Sequence, residues 1–99
     1  MIEGRVAAIL NDYQVVMNKG YNDGVRKNME FVLYELGDEI KDPSTGEVLD
    51  REMKVKHKLR ILHVQGRITT LGSADLGWLG GFRRLVVRVG DLICGWESI

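Results

Sequence analysis

Met53-Lys54-Val55-Lys56-His57-Lys58-Leu59-Arg60-Ile61-Leu62-His63-Val64 is the stretch that decides the fold. Its odd positions Met53, Val55, His57, Leu59 and Ile61 are apolar or aromatic, and its even positions Lys54, Lys56, Lys58 and Arg60 are cationic. A period of two places those sets on opposite faces of an extended strand. Twelve extended residues would span about 40 Å, longer than one wall of a small domain. The spacing therefore predicts a strand that bends and serves two walls of a barrel, with His57 on the core side and the four cations toward water.

Upstream, the pattern is again that of strands and turns. Val6-Ala7-Ala8-Ile9-Leu10, the turn pair Asn11-Asp12 and Tyr13-Gln14-Val15-Val16-Met17-Asn18 read as a hairpin. Lys19-Gly20-Tyr21-Asn22-Asp23-Gly24-Val25 follows as a connection of defined shape. Glu30-Phe31-Val32-Leu33-Tyr34-Glu35 reads as a third strand, and residues 41–47, around the single proline, as a turn. Downstream, Gln65 to Thr70 continues or returns the long strand. Residues 71–84 contain four glycines, match neither structural period and read as a loop with a helical turn begun by Ser73. Leu85 to Cys94 is expected to form strand, turn and strand. The sum is an all-β fold of five to seven strands, a small barrel or partly open barrel, because such units close to hide their edges.

Several of these segments together resemble a known family. They are Gly4-Arg5-Val6, Asn18-Lys19-Gly20 with Asp23-Gly24-Val25, Phe31-Val32-Leu33-Tyr34-Glu35, Asp42-Pro43-Ser44-Thr45-Gly46-Glu47 and His63-Val64-Gln65. The pattern is similar to the C-terminal domain of the flagellar assembly protein T family over residues 4–70, with Asn28 where that pattern has glycine. The resemblance implies a small β-barrel and a bacterial protein with a role in assembly, since those proteins build a ring around the flagellar motor.

Ninety-nine residues suffice for one core and not for two. The hydrophobic fraction of 44% with 28% charged residues is that of a globular domain, not of a disordered chain. The formal net charge of zero conceals an asymmetry. Residues 1–50 carry ten acids and five bases, and residues 51–99 nine bases and four acids, so the halves stand at −5 and +5. Opposite halves neutralise each other within one fold or between copies. Cys94 is the single cysteine, which excludes an internal disulfide and a cysteine-based zinc site. No apolar run approaches the roughly 20 residues of a helical membrane span. The expectation is a soluble cytoplasmic domain, or a periplasmic one if it belongs to a longer exported protein.

No nucleophile motif and no phosphate-binding glycine loop is present, so the expected domain is not an enzyme and holds no cofactor or metal. His57 and His63, six residues apart on one strand, would lie about 20 Å from each other. Glu35, Asp38, Glu39, Asp42, Glu47 and Asp50 read as a solvated acidic loop, without the spacing of a calcium-binding loop. Two candidate surfaces remain. Leu76, Trp78, Leu79 and Phe82, followed by Arg83 and Arg84, either plug an open end of the barrel or contact a protein partner, including a second copy. Lys54, Lys56, Lys58 and Arg60 set charges about 7 Å apart, near the phosphate spacing of a single nucleic-acid strand, and form the alternative site. The leading expectation is a protein-interaction or self-assembly module, a homo-oligomer, with a nucleic-acid-binding barrel as its rival.

Overall fold

The computed structural model describes residues 1–98. Six strands run β1 (Ile2–Asn11), β2 (Gln14–Met17), β3 (Met29–Lys41), β4 (Val48–Val64), β5 (Thr69–Ser73) and β6 (Leu92–Glu97). They close into a ring in the order β1-β2-β5-β4-β3-β6, every neighbouring pair antiparallel. The fold is thus all-β and barrel-like, as the two-residue periodicity implies. No helix among the described residues is long and apolar enough to cross a membrane.

Alternation fills the ring. Val15 and Met17 of β2, Phe31 and Leu33 of β3, Leu59 of β4, Leu71 of β5 and Ile93 of β6 point inward and are buried. Thr69 also points inward, its hydroxyl donating to the Lys19 carbonyl at 2.8 Å. Gly95 of β6 pairs with Phe31, and the ring of Phe31 occupies the space a side chain there would need. At one end the chain runs through the 3₁₀ turn Tyr21–Asp23, whose residues are exposed. Gly20 lies so close to the 65–68 turn that a Cβ would stand 2.3 Å from the Gln65 carbonyl oxygen. Tyr21 and Asn22 donate their amides across that contact to the Gln65 and Gly66 carbonyls. Gly24 takes a φ of +98°, where a side chain would be strained, and delivers Val25 into the core.

The opposite mouth is covered by a strap, residues 85–91, whose start is not the expected strand, although the expected turn at Val89-Gly90 and the closing strand β6 are present. Leu85 and Val87 pack against the core while Val86 and Val89 face water. The strap is pinned from several sides. Leu85 donates to the Asp12 carbonyl, Gly90 to the Val6 carbonyl, and Val6 to the Asp91 carbonyl.

Two further expectations are corrected here. Residues 71–73 belong to β5, so the glycine-rich loop begins at Ala74, with no helical turn at Ser73. β3 and β4 are far longer than the barrel needs. β6 leaves β3 at Tyr34, and β5 leaves β4 at Leu59. Beyond those points residues 35–41 and 48–55 form a free two-stranded ribbon, the arm, about 20 Å long. The acidic stretch is therefore mostly strand, and only its tip, closed by Gly46 at φ +74°, is a turn. The radius of gyration of 14.9 Å exceeds the about 13 Å of a compact 100-residue domain, as a projecting arm requires.

Candidate docking surface

Bulges, not simple alternation, decide where the β4 side chains go. Leu33 pairs with His57 but Tyr34 pairs with Val55, so Lys56 and His57 together oppose one residue. Below this bulge Leu59 faces the core as expected. Above it the parity inverts, and Val55 and Met53 share the barrel's outer face with their partners Tyr34 and Leu36. The expectation that Met53, Val55, His57, Leu59 and Ile61 line one face is corrected on that ground. A second bulge between Ile61 and His63 turns His63 out to solvent, so the two histidines do not share a face either.

The same bulges dissolve the cationic row. Lys54 is exposed beside its cross-strand partner Glu35. Lys56 turns with His57 toward the strap, half-buried, its Nζ 3.6 Å from an Asp91 carboxylate oxygen. Lys58 faces outward opposite Val32. Arg60 donates from Nε to the Ser73 carbonyl and lies over the Phe82 ring at 4.6 Å. Of the four cations, only Lys54 and Lys58 are left pointing freely outward, and the arm beyond them is acidic.

His57 ties the strap to β4 and faces the root of the glycine-rich loop. Its Nε2 accepts the Val86 amide at 3.1 Å, which places the proton on Nδ1, and Nδ1 faces an Asp75 carboxylate oxygen at 3.4 Å. That same oxygen accepts the Lys58 amide, Ala74 donates to the Lys58 carbonyl, and Arg83 donates to the Asp75 carbonyl. The N-terminal root of the loop is thus tied to β4, and the C-terminal root is tied to it through Asp75. Between the roots, Leu76 bridges to Phe82 in a short antiparallel contact, and Gly77 and Gly81 close a turn with Gly80 at φ +90°.

What this rigid root presents is apolar. Trp78 is 94% exposed and Leu79 92%, with Leu76 and Phe82 partly exposed beside them. Arg83 and Arg84 follow on the surface, Arg84 reaching Asp12 at 3.0 Å. Trp78 and Leu79 therefore do not plug the barrel; Leu85 and Val87 do.

A second apolar surface was not singled out in the sequence. The arm exposes Leu36, Ile40, Val48, Leu49, Met53 and Val55. At its foot a groove of about 570 Å³ on the outer wall is lined by Val32, Val55, Lys58, Ala74 and Trp96, among others. Since Val55 belongs to the arm and Ala74 to the loop root, this groove joins the two. The alternation of Leu36 and Ile40 with acids was the available signal, masked by the density of charge around it.

Titratable groups on the outer wall have a different character. Burial pushes the Cys94 thiol above its ordinary value, and the Glu3 carboxylate adds to the shift. The Tyr34 phenol is raised as well, first by burial, then by Cys94 and Glu3, against an opposing pull from Arg5. Such shifts disfavour the anionic forms, the opposite of what an activated nucleophile requires. No family model matches this chain, and no curated protein matches it.

Proposed function

We propose that this domain is a non-enzymatic protein-contact module, binding through the loop tip Leu76–Phe82, the following arginines and the adjoining apolar arm. The observation that carries the reading is the tip itself. Trp78 and Leu79 are almost fully exposed although the loop that bears them is hydrogen-bonded to β4 through Ala74 and Asp75 and closed on itself by the Arg83 amide bond to the Asp75 carbonyl. Water-exposed tryptophan on an anchored loop is unfavourable in isolation and typical of contact hot spots. Anchoring the roots limits the ordering entropy lost on docking, which favours recognition. The resemblance of residues 4–70 to the flagellar assembly protein family supports an assembly role of this kind, and the proposal takes no flagellar function from it. A nucleic-acid role has less support, because the cationic row is broken and the arm it would lead onto is acidic.

Site-specific photo-crosslinking in the native cell tests this. A photoreactive phenylalanine analogue in place of Leu79 should yield discrete polypeptide adducts, and the same analogue in place of Arg67, on the far turn, should not. Equal or absent adducts at the two positions would refute the reading, and adducts to RNA or DNA would transfer it to the nucleic-acid alternative.

A further inference from the structure

Two exposed apolar surfaces of opposite charge arise from one end of this molecule. Between Glu35 and Val55 the arm carries seven acids and three bases, a net charge of −4. Between Leu76 and Val89 the loop and strap carry Arg83, Arg84, Arg88 and no acid, a net charge of +3. Each surface thus offers exposed apolar side chains together with the charge that the other lacks. They cannot satisfy each other within the chain as it is folded, since Trp78 and Leu79 remain in water while the arm's Leu49 and Val55 do too. The arm has its own reason to seek cover. A two-stranded ribbon with no third strand or packed layer is marginally stable in water.

We infer that the occupant of each surface is the other surface of a second copy of this chain, in a closed two-fold dimer. This rests on the protein-contact reading and names its partner. The arm leaves the barrel at Tyr34 and Val55, and the loop root is held at Lys58, three residues farther along β4. With both surfaces at one end, a two-fold axis there lays each tip on the partner's arm simultaneously. Two equivalent contacts close the assembly and leave neither surface free, whereas head-to-tail docking would leave one of each at every end. The exchange also doubles the area that a single tip could bury, which moves the interface toward the about 1,200–2,000 Å² of stable complexes. Opposite net charge sets the orientation and speeds the encounter.

Charge-reversed variants test the geometry by sedimentation equilibrium. The wild type should move from 11.2 kDa toward twice that mass and no further as concentration rises. One variant, Arg83→Glu with Arg88→Glu, makes the tip acidic. The other, Asp38→Lys with Glu39→Lys and Glu47→Lys, makes the arm basic. All five positions are exposed, and circular dichroism should show both variants folded. In a two-fold exchange each variant alone meets like charge in both contacts, and its dimerisation should weaken at least about tenfold. Mixed one to one, the reversed tip meets the reversed arm, the native tip meets the native arm, and a heterodimer should return. A monomeric wild type at about 1 mM, variants that dimerise like the wild type, a mixture that stays monomeric, or mass growing past the dimer would each overturn the inference. In the crosslinking experiment, tip adducts to other proteins alone would overturn it while leaving the contact reading in place, and absence of any adduct would end both.

Discussion

Gly95→Ala is the single-methyl substitution that the barrel should tolerate least well at its strand positions, and its cost can be worked from Phe31. A Cβ at position 95 would stand 2.2, 2.4 and 2.7 Å from three carbons of the Phe31 ring. Ordinary carbon–carbon contact is about 3.5–4.0 Å, so the ring must withdraw by more than an ångström. It has nowhere to go, being 1% exposed among Leu33, Leu59 and Ile93, side chains of the same core. Overpacking of this kind costs about 1–3 kcal/mol, from which the lower unfolded-state entropy of alanine returns about 0.4–1 kcal/mol. The net loss of about 1–2 kcal/mol should lower the melting temperature by about 5–15 °C for a domain of this length. The mechanism makes a sharper demand than the magnitude. In a Phe31→Leu background, the ring carbons that clash are gone, and Gly95→Ala should cost less than about 0.5 kcal/mol. Urea denaturation of the two single variants and the double variant would measure a coupling of at least about 1 kcal/mol. Additivity within about 0.3 kcal/mol would refute the claim that Phe31 fills the place of a side chain at Gly95.

Replacing His57 by alanine should speed amide exchange at Val86 about fivefold, matching the loss of one hydrogen bond of about 1 kcal/mol, while the Gly90 amide, held by the Val6 carbonyl, serves as an unchanged control. Unaltered exchange at Val86 would show that the imidazole does not anchor the strap. Alkaline stability follows from the raised Cys94 and Tyr34 groups, whose protons the unfolded chain releases first. Their contribution is complete below the ordinary thiol range of about pH 8.5 and is lost as pH rises through the folded values. Urea midpoints at about pH 8 and about pH 10.5 should therefore fall less steeply for a Cys94→Ala, Tyr34→Phe double variant than for the wild type, and equal slopes would contradict the assignment.

The fold class was legible because inward residues alternate cleanly on the short strands. Val15 and Met17, Phe31 and Leu33, and Leu71 all follow a period of two that no helix would produce. The β4 bulges at Lys56-His57 and between Ile61 and His63 were not legible. A bulge here spends a residue on local twist, and neither Lys56-His57 nor Ile61-Leu62-His63 contains a glycine or proline to mark it. One undetected bulge was enough to assign Met53 and Val55 to the wrong face and to align Lys56 with its neighbours. The strap misled for another reason. Leu85-Val86-Val87 has strand composition, but its amides find single partners on β1, β4 and the Asp12 turn in place of a ladder. Composition reports that a segment is half-buried, and it says nothing about whether the backbone beside it is continuous. Of the candidate site, the tip residues were visible as large apolar side chains among glycines. The arm was hidden because seven acids outweigh its apolar residues in any local reading.

The connection between β5 and β6 separates two tasks that its sequence left merged. A six-stranded ring needs something apolar at each mouth, and Leu85 with Val87 supplies it at the mouth where the arm departs. The interior is already filled by Phe31, Met17, Leu33, Leu71 and Ile93, all essentially inaccessible to solvent. Under the proposed contact role, recognition takes place on the outside. Because two small strap residues close the barrel, the larger Trp78 is released from any packing duty and can be held in water. Tying the loop to β4 through Ala74 and Asp75 fixes the root that carries that side chain without burying it. A loop retained only for closure would carry its largest apolar residue inward. This one carries it outward, beside an arm of opposite charge that the barrel does not need, a placement that supports the proposal of a second protein surface covering both.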